Sequence, residues 1–106
     1  METINIQQFL GEGSKIFSGR PTGIRAREIK ELNKKDMDEL CYEVIIPEGV
    51  YSINGSFFGG MFSDSVKRLG EEKFNKKYHF KFKDKELNIT LKKDIDDGIY
   101  DALNDL

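Results

Sequence analysis

Four apolar residues, Phe58, Phe62, Val66 and Leu69, stand four, four and three positions apart. That spacing puts them on one face of a helix, and a helix with one apolar face must lay that face on something. The segments on either side supply it. Tyr42–Ile46 reads YEVII. Tyr42, Val44 and Ile46 alternate, and Ile45 makes the centre apolar on both faces, which predicts a strand in a sheet covered on both sides. Tyr78–Phe82 sets Tyr78, Phe80 and Phe82 against His79 and Lys81, the pattern of a half-buried strand.

The rest of the chain extends this arrangement. Thr3–Ile6 alternates and predicts a first strand. A helix is expected from Thr22 or Gly23 to about Leu32 or Lys35, with a thin apolar face of Ile24, Ala26, Ile29 and Leu32. Asn33–Glu39 reads as a turn with a short helical piece, and Val50–Ile53 as a brief extended segment. The strong helix spans Ser56–Leu69, capped by Asn54 or Ser56 and stopped at Gly70. Glu71–Lys77 adds a turn anchored by Phe74. Leu87, Ile89 and Leu91 alternate with Asn88 and Thr90 and predict another strand. Ile95, Ile99, Ala102 and Leu106 predict a closing helix with Asp94 near its start, where the macrodipole favours an anion. The expected order is β-α-β-α-β-β-α, which makes an α/β fold: one small domain over residues 1–106, a mixed β-sheet flanked by helices. A length of 106 residues suits a single core.

The reactive inventory is short. One cysteine, Cys41, excludes an internal disulfide and a cysteine-cluster metal site, and one histidine, His79, excludes multi-histidine metal sites. A Ser-His-Asp triad would have to use His79, which lies in a strand-like run. Both residues read as structural, with Cys41 a small hydrophobe. The expectation is a protein that is not an enzyme, with no catalytic residues, no metal and no cofactor. No run approaches the roughly 20 apolar residues of a membrane span, and Met1–Leu10 is neither basic nor continuously apolar, so a cytoplasmic location is expected. The net charge of −2 hides a polarity. Lys67–Lys85 is rich in lysine, whereas Asp94, Asp96, Asp97, Asp101 and Asp105 form an acidic tail. Pairing of these two regions, in cis or with a partner, is expected. Nucleic-acid binding is not, because alternation buries the aromatics of the basic stretch away from any base.

Two segments carry functional candidates. Ser52–Phe62 lies where an extended run ends and the strong helix begins, and unpaired N–H groups at a helix start favour anions. Ser56 there is either a helix cap or a phosphorylation site, since a phosphate would add about two negative charges at the helix start. Gly59 and Gly60 cost about 1 kcal/mol each inside a helix, which implies a close approach to a neighbouring strand or a partner. In Gly19–Arg27, Arg20, Arg25 and Arg27 are candidates for an anion clamp, because guanidinium pairs bidentately with phosphate or carboxylate. The alternative is a solvated helix face. No nucleotide-binding glycine motif occurs.

These residues together resemble the STAS-like domain family of unknown function. Its members share an I-x-S-S-F stretch, a helix, an L-G-E-E-x-F turn and a strand. The corresponding stretches here are Ile53-x-x-Ser56-Phe57 and Leu69-Gly70-Glu71-Glu72-x-Phe74. Ser18-Gly19-Arg20-Pro21-Thr22-Gly23-Ile24-Arg25-Ala26-Arg27 resembles the upstream S-G-R-x-x-G-x-x-x-R of that family. The match runs over about residues 18–82. The resemblance implies a fold similar to sulfate-transporter and anti-sigma-factor-antagonist domains, bacterial or phage modules for partner switching. In that wider group the domain docks on a GHKL-type ATPase kinase or another partner, and a serine at the start of the second helix is phosphorylated. The wider group has Asp-Ser-Ser/Thr-Gly at that corner, where this chain has Asn54-Gly55-Ser56-Phe57, so its phosphorylated position aligns with Gly55.

The expected function is therefore a non-enzymatic regulatory module for protein–protein interaction. It would dock on a kinase, a signalling ATPase or another regulator. The contact residues would be Ser52, Asn54, Gly55, Phe57, Gly59 and Gly60, with Ser56 as the regulated hydroxyl. A bulky residue at Gly59 or Gly60 is expected to block docking with the fold intact. The alternatives are a small-molecule or anion sensor built on Arg20, Arg25 and Arg27, and a phage or mobile-element inhibitor of a host protein. A homodimer through an exposed edge strand is a further expectation.

Overall fold

The structure, a computed structural model, describes residues 1–104, the Lys85 side chain excepted. The elements run β1 (Glu2–Asn5), β2 (Ile16–Phe17), α1 (Arg20–Ile29), α2 (Leu32–Lys35), β3 (Tyr42–Ile46), β4 (Ser52–Ile53), α3 (Gly55–Lys77), β5 (Tyr78–Phe82) and α4 (Asn88–Leu103). Short 3-10 turns at Gln7–Phe9 and Lys85–Leu87 complete the chain path. Strands β1, β3 and β5 form one sheet in that order, and β2 and β4 form a second. Every pairing is parallel, so the mixed sheet expected from the sequence is two small parallel sheets. Helices flank them in one α/β domain.

The helix stripe and the two alternating strands meet as the sequence implies. Phe62 of α3 packs against Phe80 at 5.3 Å between ring centroids and against Tyr78 at 5.7 Å. Phe74 joins them at 5.7 Å from Phe62. Gly70 bends α3 with a φ of 80°, a backbone state that only glycine adopts without strain, and this turns Phe74 back into the cluster. The opposite face of the larger sheet is not covered by a helix. There Thr3, Asn5, His79 and Lys81 are exposed, and Glu43 and Ile45 are half-buried. Ile45 thus lies on an open polar face, in a sheet covered on one side only.

Two expected elements take different forms. Leu87–Leu91 is not a strand. Leu87, Leu91 and Ile95 are also spaced by four, and that period continues through Ile99 and Ala102. The helical phase buries Leu91, Ile95, Ile99 and Ala102 together and leaves Ile89 84% exposed, whereas a strand would need to bury Ile89. Leu106, the expected end of that stripe, lies outside the described residues. The first helix starts at Arg20 and stops at Ile29, because Glu31 takes a left-handed φ of 54° before the four residues of α2. Ala26 and Leu32 are buried, but Ile24 and Ile29 are exposed. The weak strand Ile16–Phe17 has only two residues to carry a pattern, which is too few for a period to show.

Helices α1 and α3 cross at glycines. A Cβ on Gly23 would lie 2.2 Å from the Phe57 carbonyl oxygen, and one on Gly60 would lie 2.4 Å from that of Arg20. Gly98 plays the same part for α4, where a Cβ would lie 2.3 Å from the Phe58 ring. Below this crossing, Lys77 Nζ donates to Asp38 Oδ1 at 2.6 Å, and the Tyr42 hydroxyl donates to Asp38 Oδ2. Burial first, and the Asp38 carboxylate second, push the Tyr42 phenol up to about 12.

Gly23→Ala and Gly60→Ala should each lower stability by about 1–3 kcal/mol in chemical denaturation, since backbone cannot yield as a side-chain tip does. Gly55→Ala, whose Cβ would meet nothing within 4 Å, should be neutral or gain about 0.4–1 kcal/mol. For Tyr42 the folded chain holds its proton more tightly than the unfolded chain. Its contribution is therefore complete below the ordinary phenol value and is lost as pH rises from about 10 to about 12. Tyr78 is raised by burial and by Asp36 and adds to the same loss. Tyr42→Phe should make the alkaline limb of a stability–pH curve shallower without abolishing it.

Candidate functional site

The two short strands of the smaller sheet each feed a helix. β2 leads through Ser18 and Gly19 into α1, and β4 leads through Asn54 into α3. Because β2 and β4 are parallel, with Phe17 opposite Ile53, both helices begin at the same end of the molecule. The Asn54 N–H donates to the Phe17 carbonyl at 2.7 Å, and the Gly19 N–H donates to Ser56 Oγ at 3.2 Å, so the two turns are stitched together. Neither helix carries an acid in its first turn. The corner expected from Ser52–Phe62 is thus a double one, built from both segments that the sequence singled out.

Asn54 is the cap of α3. Its Oδ1 accepts from the Ser56 N–H at 2.9 Å and from the Ser56 hydroxyl at 2.7 Å. Ser56 therefore donates to an amide oxygen and accepts from a backbone N–H. Neither neighbour could take its proton in a reaction. A cleft of about 370 Å³ opens here, lined by Arg20, Gly55, Ser56, Gly59 and Ser63 on the α1–α3 side and by Asp101 on the α4 side. The Arg20 guanidinium lies over Gly59, where a Cβ would sit 2.8 Å from Nη2. Arg20 makes no ion pair or side-chain hydrogen bond among the described residues.

The structure separates the other candidates. Arg25 turns toward Phe9, with its guanidinium carbon 5.9 Å from the ring centroid. Arg27 is buried. Its Nη2 meets Asp36 Oδ2 at 2.7 Å, and the two side chains are only 7% and 0% exposed. Arg27 Nη1 also donates to Ser65 Oγ at 2.7 Å and to the Met61 carbonyl at 2.9 Å. Asp36 Oδ1 accepts from Ser65 Oγ at 2.7 Å and from the Tyr78 hydroxyl at 2.6 Å. Arg20, Arg25 and Arg27 thus do not converge on one anion. Steps of five and two send Arg25 to another side of the helix, while Arg20 and Arg27, seven residues apart, share the side that faces α3 but stand two turns, about 10 Å, apart along the axis.

Among the proposed contact residues, Phe57 and Gly60 are buried, Phe57 at 1% exposure. Gly60 lies against the α1 backbone, so a bulky residue there would break the fold and not test docking. The Ser52 hydroxyl is turned to Asp94, which accepts from it at 3.1 Å and from the Ile53 N–H at 3.0 Å. Asp94 is accordingly not at a helix start but in mid-helix, tying α4 to β4. Asn54, Gly55, Gly59 and Ser56 remain at the surface or partly so. Cys41 is exposed, not a buried small hydrophobe. His79 is exposed, with Nε2 2.8 Å from the Lys76 carbonyl.

The expected pairing of the basic stretch with the acidic tail does not include Arg68, Lys76, Lys77 or Lys81. Their ion-pair partners are Asp36, Glu72, Asp38 and Glu43. Asp105 lies outside the described residues. The described residues hold no group of three or more His, Cys, Asp or Glu side chains arranged to hold a metal, and no helix among them is long and apolar enough to cross a membrane. In comparisons with known proteins, no family model matches the chain, no curated protein matches it and no solved structure matches it.

Arg27 and Arg25 separate the structural from the surface role. Arg27→Met removes the close cation of the buried Asp36 carboxylate, leaves it only the 3.5 Å contact with the partly exposed Arg68, and should cost about 3–5 kcal/mol. Arg25→Met should change stability by less than about 0.5 kcal/mol. Denaturant midpoints of the two purified variants check the contrast.

Proposed function

We propose that this chain is a non-enzymatic docking module, of the STAS-like kind, that binds a protein partner through the corner where α1 and α3 begin. The observation that carries this reading is the unpaired Arg20 guanidinium, held over Gly59 beside the open start of α3. An exposed guanidinium fixed next to a helix start is a ready point of contact for a carboxylate or phosphate on another molecule. Asp101 on the facing wall gives the cleft both signs of charge. A mixed-charge surface suits a protein partner better than a free anion, which Asp101 would repel. The partner class that the resemblance implies is a GHKL-type kinase or another signalling ATPase.

Ser56 fits the switch in this reading. A phosphate on its oxygen would remove the proton now donated to Asn54 and would stand beside Arg20 and the first N–H groups of α3. The added charge would occupy the position offered to the partner, so modification and docking would compete. The anion-sensor reading keeps Arg20 and the paired helix starts but loses Arg25 and Arg27, which lie elsewhere.

Gly55→Arg should abolish partner capture from cell extract while leaving the circular dichroism spectrum and melting temperature unchanged, because a side chain at Gly55 projects into open space. Arg20→Ala should weaken capture of the same partner. A folded Gly55→Arg protein that retains the wild-type partner set would show that docking occurs elsewhere. Incubation with the captured kinase and ATP should add one phosphate to the wild type and none to Ser56→Ala, read by intact mass.

A further inference from the structure

Strand β5 has a partner on one side only. In the order β1-β3-β5 it is the edge of the larger sheet, paired with β3 from Tyr42↔Tyr78 to Ile46↔Phe82. Its other side looks into a groove of about 590 Å³, bounded across the gap by the first half of α4. Phe80, Phe82 and Ile95 supply its apolar floor, and Asn88, Lys92 and Asp96 lie along the α4 wall. Phe80 and Phe82 are half-buried, so the aromatic layer of the core reaches the surface here.

On the strand itself the outward charge is one-sided, while the α4 wall carries both Lys92 and Asp96. The outward residues of β5 are His79 and Lys81, and the exposed Lys83 follows in the bend just past the strand's end. Lys81 is 3.7 Å from Glu43 on the neighbouring strand, a long contact between partly exposed groups. Lys83 and Lys92 have no ion-pair partner among the described residues. The strand therefore alternates bases on one face with aromatics on the other. A strand added beside it would continue the pleat, with its residues alternately facing the bases and the aromatic floor.

We infer that the β5 edge and the groove beside it accept an extended acidic peptide segment of a partner protein, added as a fourth strand. Its carboxylates face Lys81 and Lys83, and its alternate apolar side chains cover Phe80 and Phe82. Main-chain hydrogen bonds supply affinity and the alternation supplies specificity, as in other strand additions at sheet edges. A second copy of this chain is a poor occupant. Both outward residues of β5, His79 and Lys81, are bases and Lys83 follows them, so self-pairing that keeps the aromatics on the core face sets base against base. This surface is separate from the corner at Gly55, on the other sheet.

The test uses a short labelled peptide alternating glutamate with valine, titrated into the full chain by fluorescence anisotropy with amide shifts mapped by NMR. The expected result is saturable binding, weakened by salt, with the largest shifts in residues 78–82. Lys81→Glu should weaken it about fivefold, the upper range of one cross-strand charge pair, and Gly55→Arg should leave it unchanged. A lysine–valine peptide and a glutamate–valine peptide with methylated backbone nitrogens should both bind much more weakly. Equal binding of either control overturns the proposal, as do shifts centred elsewhere, concentration-dependent dimerisation of the chain without peptide, or no binding at millimolar peptide.

Discussion

The buried contact between Arg27 and Asp36 is the interaction on which the architecture turns. Arg27 comes from α1 and Asp36 from the turn after α2, while Ser65 and Met61 come from α3 and the Tyr78 hydroxyl from β5. One ion pair thus joins the first helix pair to the long helix and to the sheet. Such a pair is tolerable in an interior only if its remaining donors and lone pairs are met. Here Asn33 takes the remaining guanidinium donors, at 2.8 and 3.2 Å, and no buried side-chain polar atom among the described residues lacks a partner. The geometry depends on the glycines one turn away. Gly23 and Gly60 let the α1 and α3 backbones approach closely enough for the Arg27 guanidinium to reach the Met61 carbonyl.

That same close crossing positions the corner. The two parallel strands β2 and β4 bring both helix starts to one end, and the crossing holds them side by side. Gly59 leaves room for the Arg20 guanidinium to lie flat against α3. In the docking proposed for this corner, a surface organised in this way would need little rearrangement to meet a partner, which would reduce the entropy cost of binding. Several residues in the motifs that suggest function, Gly23, Arg27, Phe57 and Gly60, are therefore framework. The surface they create is carried by fewer residues, chiefly Arg20, Gly55 and Ser56.

Much of the fold was legible because long periodic segments have only one good way to bury their apolar residues. Phe58, Phe62 and Val66 had to face a sheet, and Tyr78, Phe80 and Phe82 had to face a helix. The failures have specific causes. Leu87, Ile89 and Leu91 satisfy a period of two, but Leu87 and Leu91 also satisfy a helical period that runs on for three more turns, and the longer run buries more. Ile45 suggested a doubly covered sheet, yet its neighbours across the sheet are Asn5 and Lys81. Residues in one strand cannot report the polarity of the strands beside it. Of the candidate site, the corner was legible and the cap was narrowed to Asn54 or Ser56, of which Asn54 is the cap and Ser56 its donor; the convergence of two helix starts was not legible, because β2 is too short to carry a pattern.

By itself, the sequence determined the existence and type of the strong elements, the backbone break at Gly70 and the small reactive inventory. These depend on local spacing and on residue identity. The tertiary structure alone decided which arginine is buried and which is free, which glycine is a contact and which is open, and that β5 lies at an edge. Arg20, Arg25 and Arg27 are chemically the same side chain. Their roles differ because Arg25 faces Phe9, while Arg20 and Arg27, on one side of the helix but two turns apart, meet the open start of α3 and the buried Asp36 respectively, partners brought there by chain segments far away in sequence.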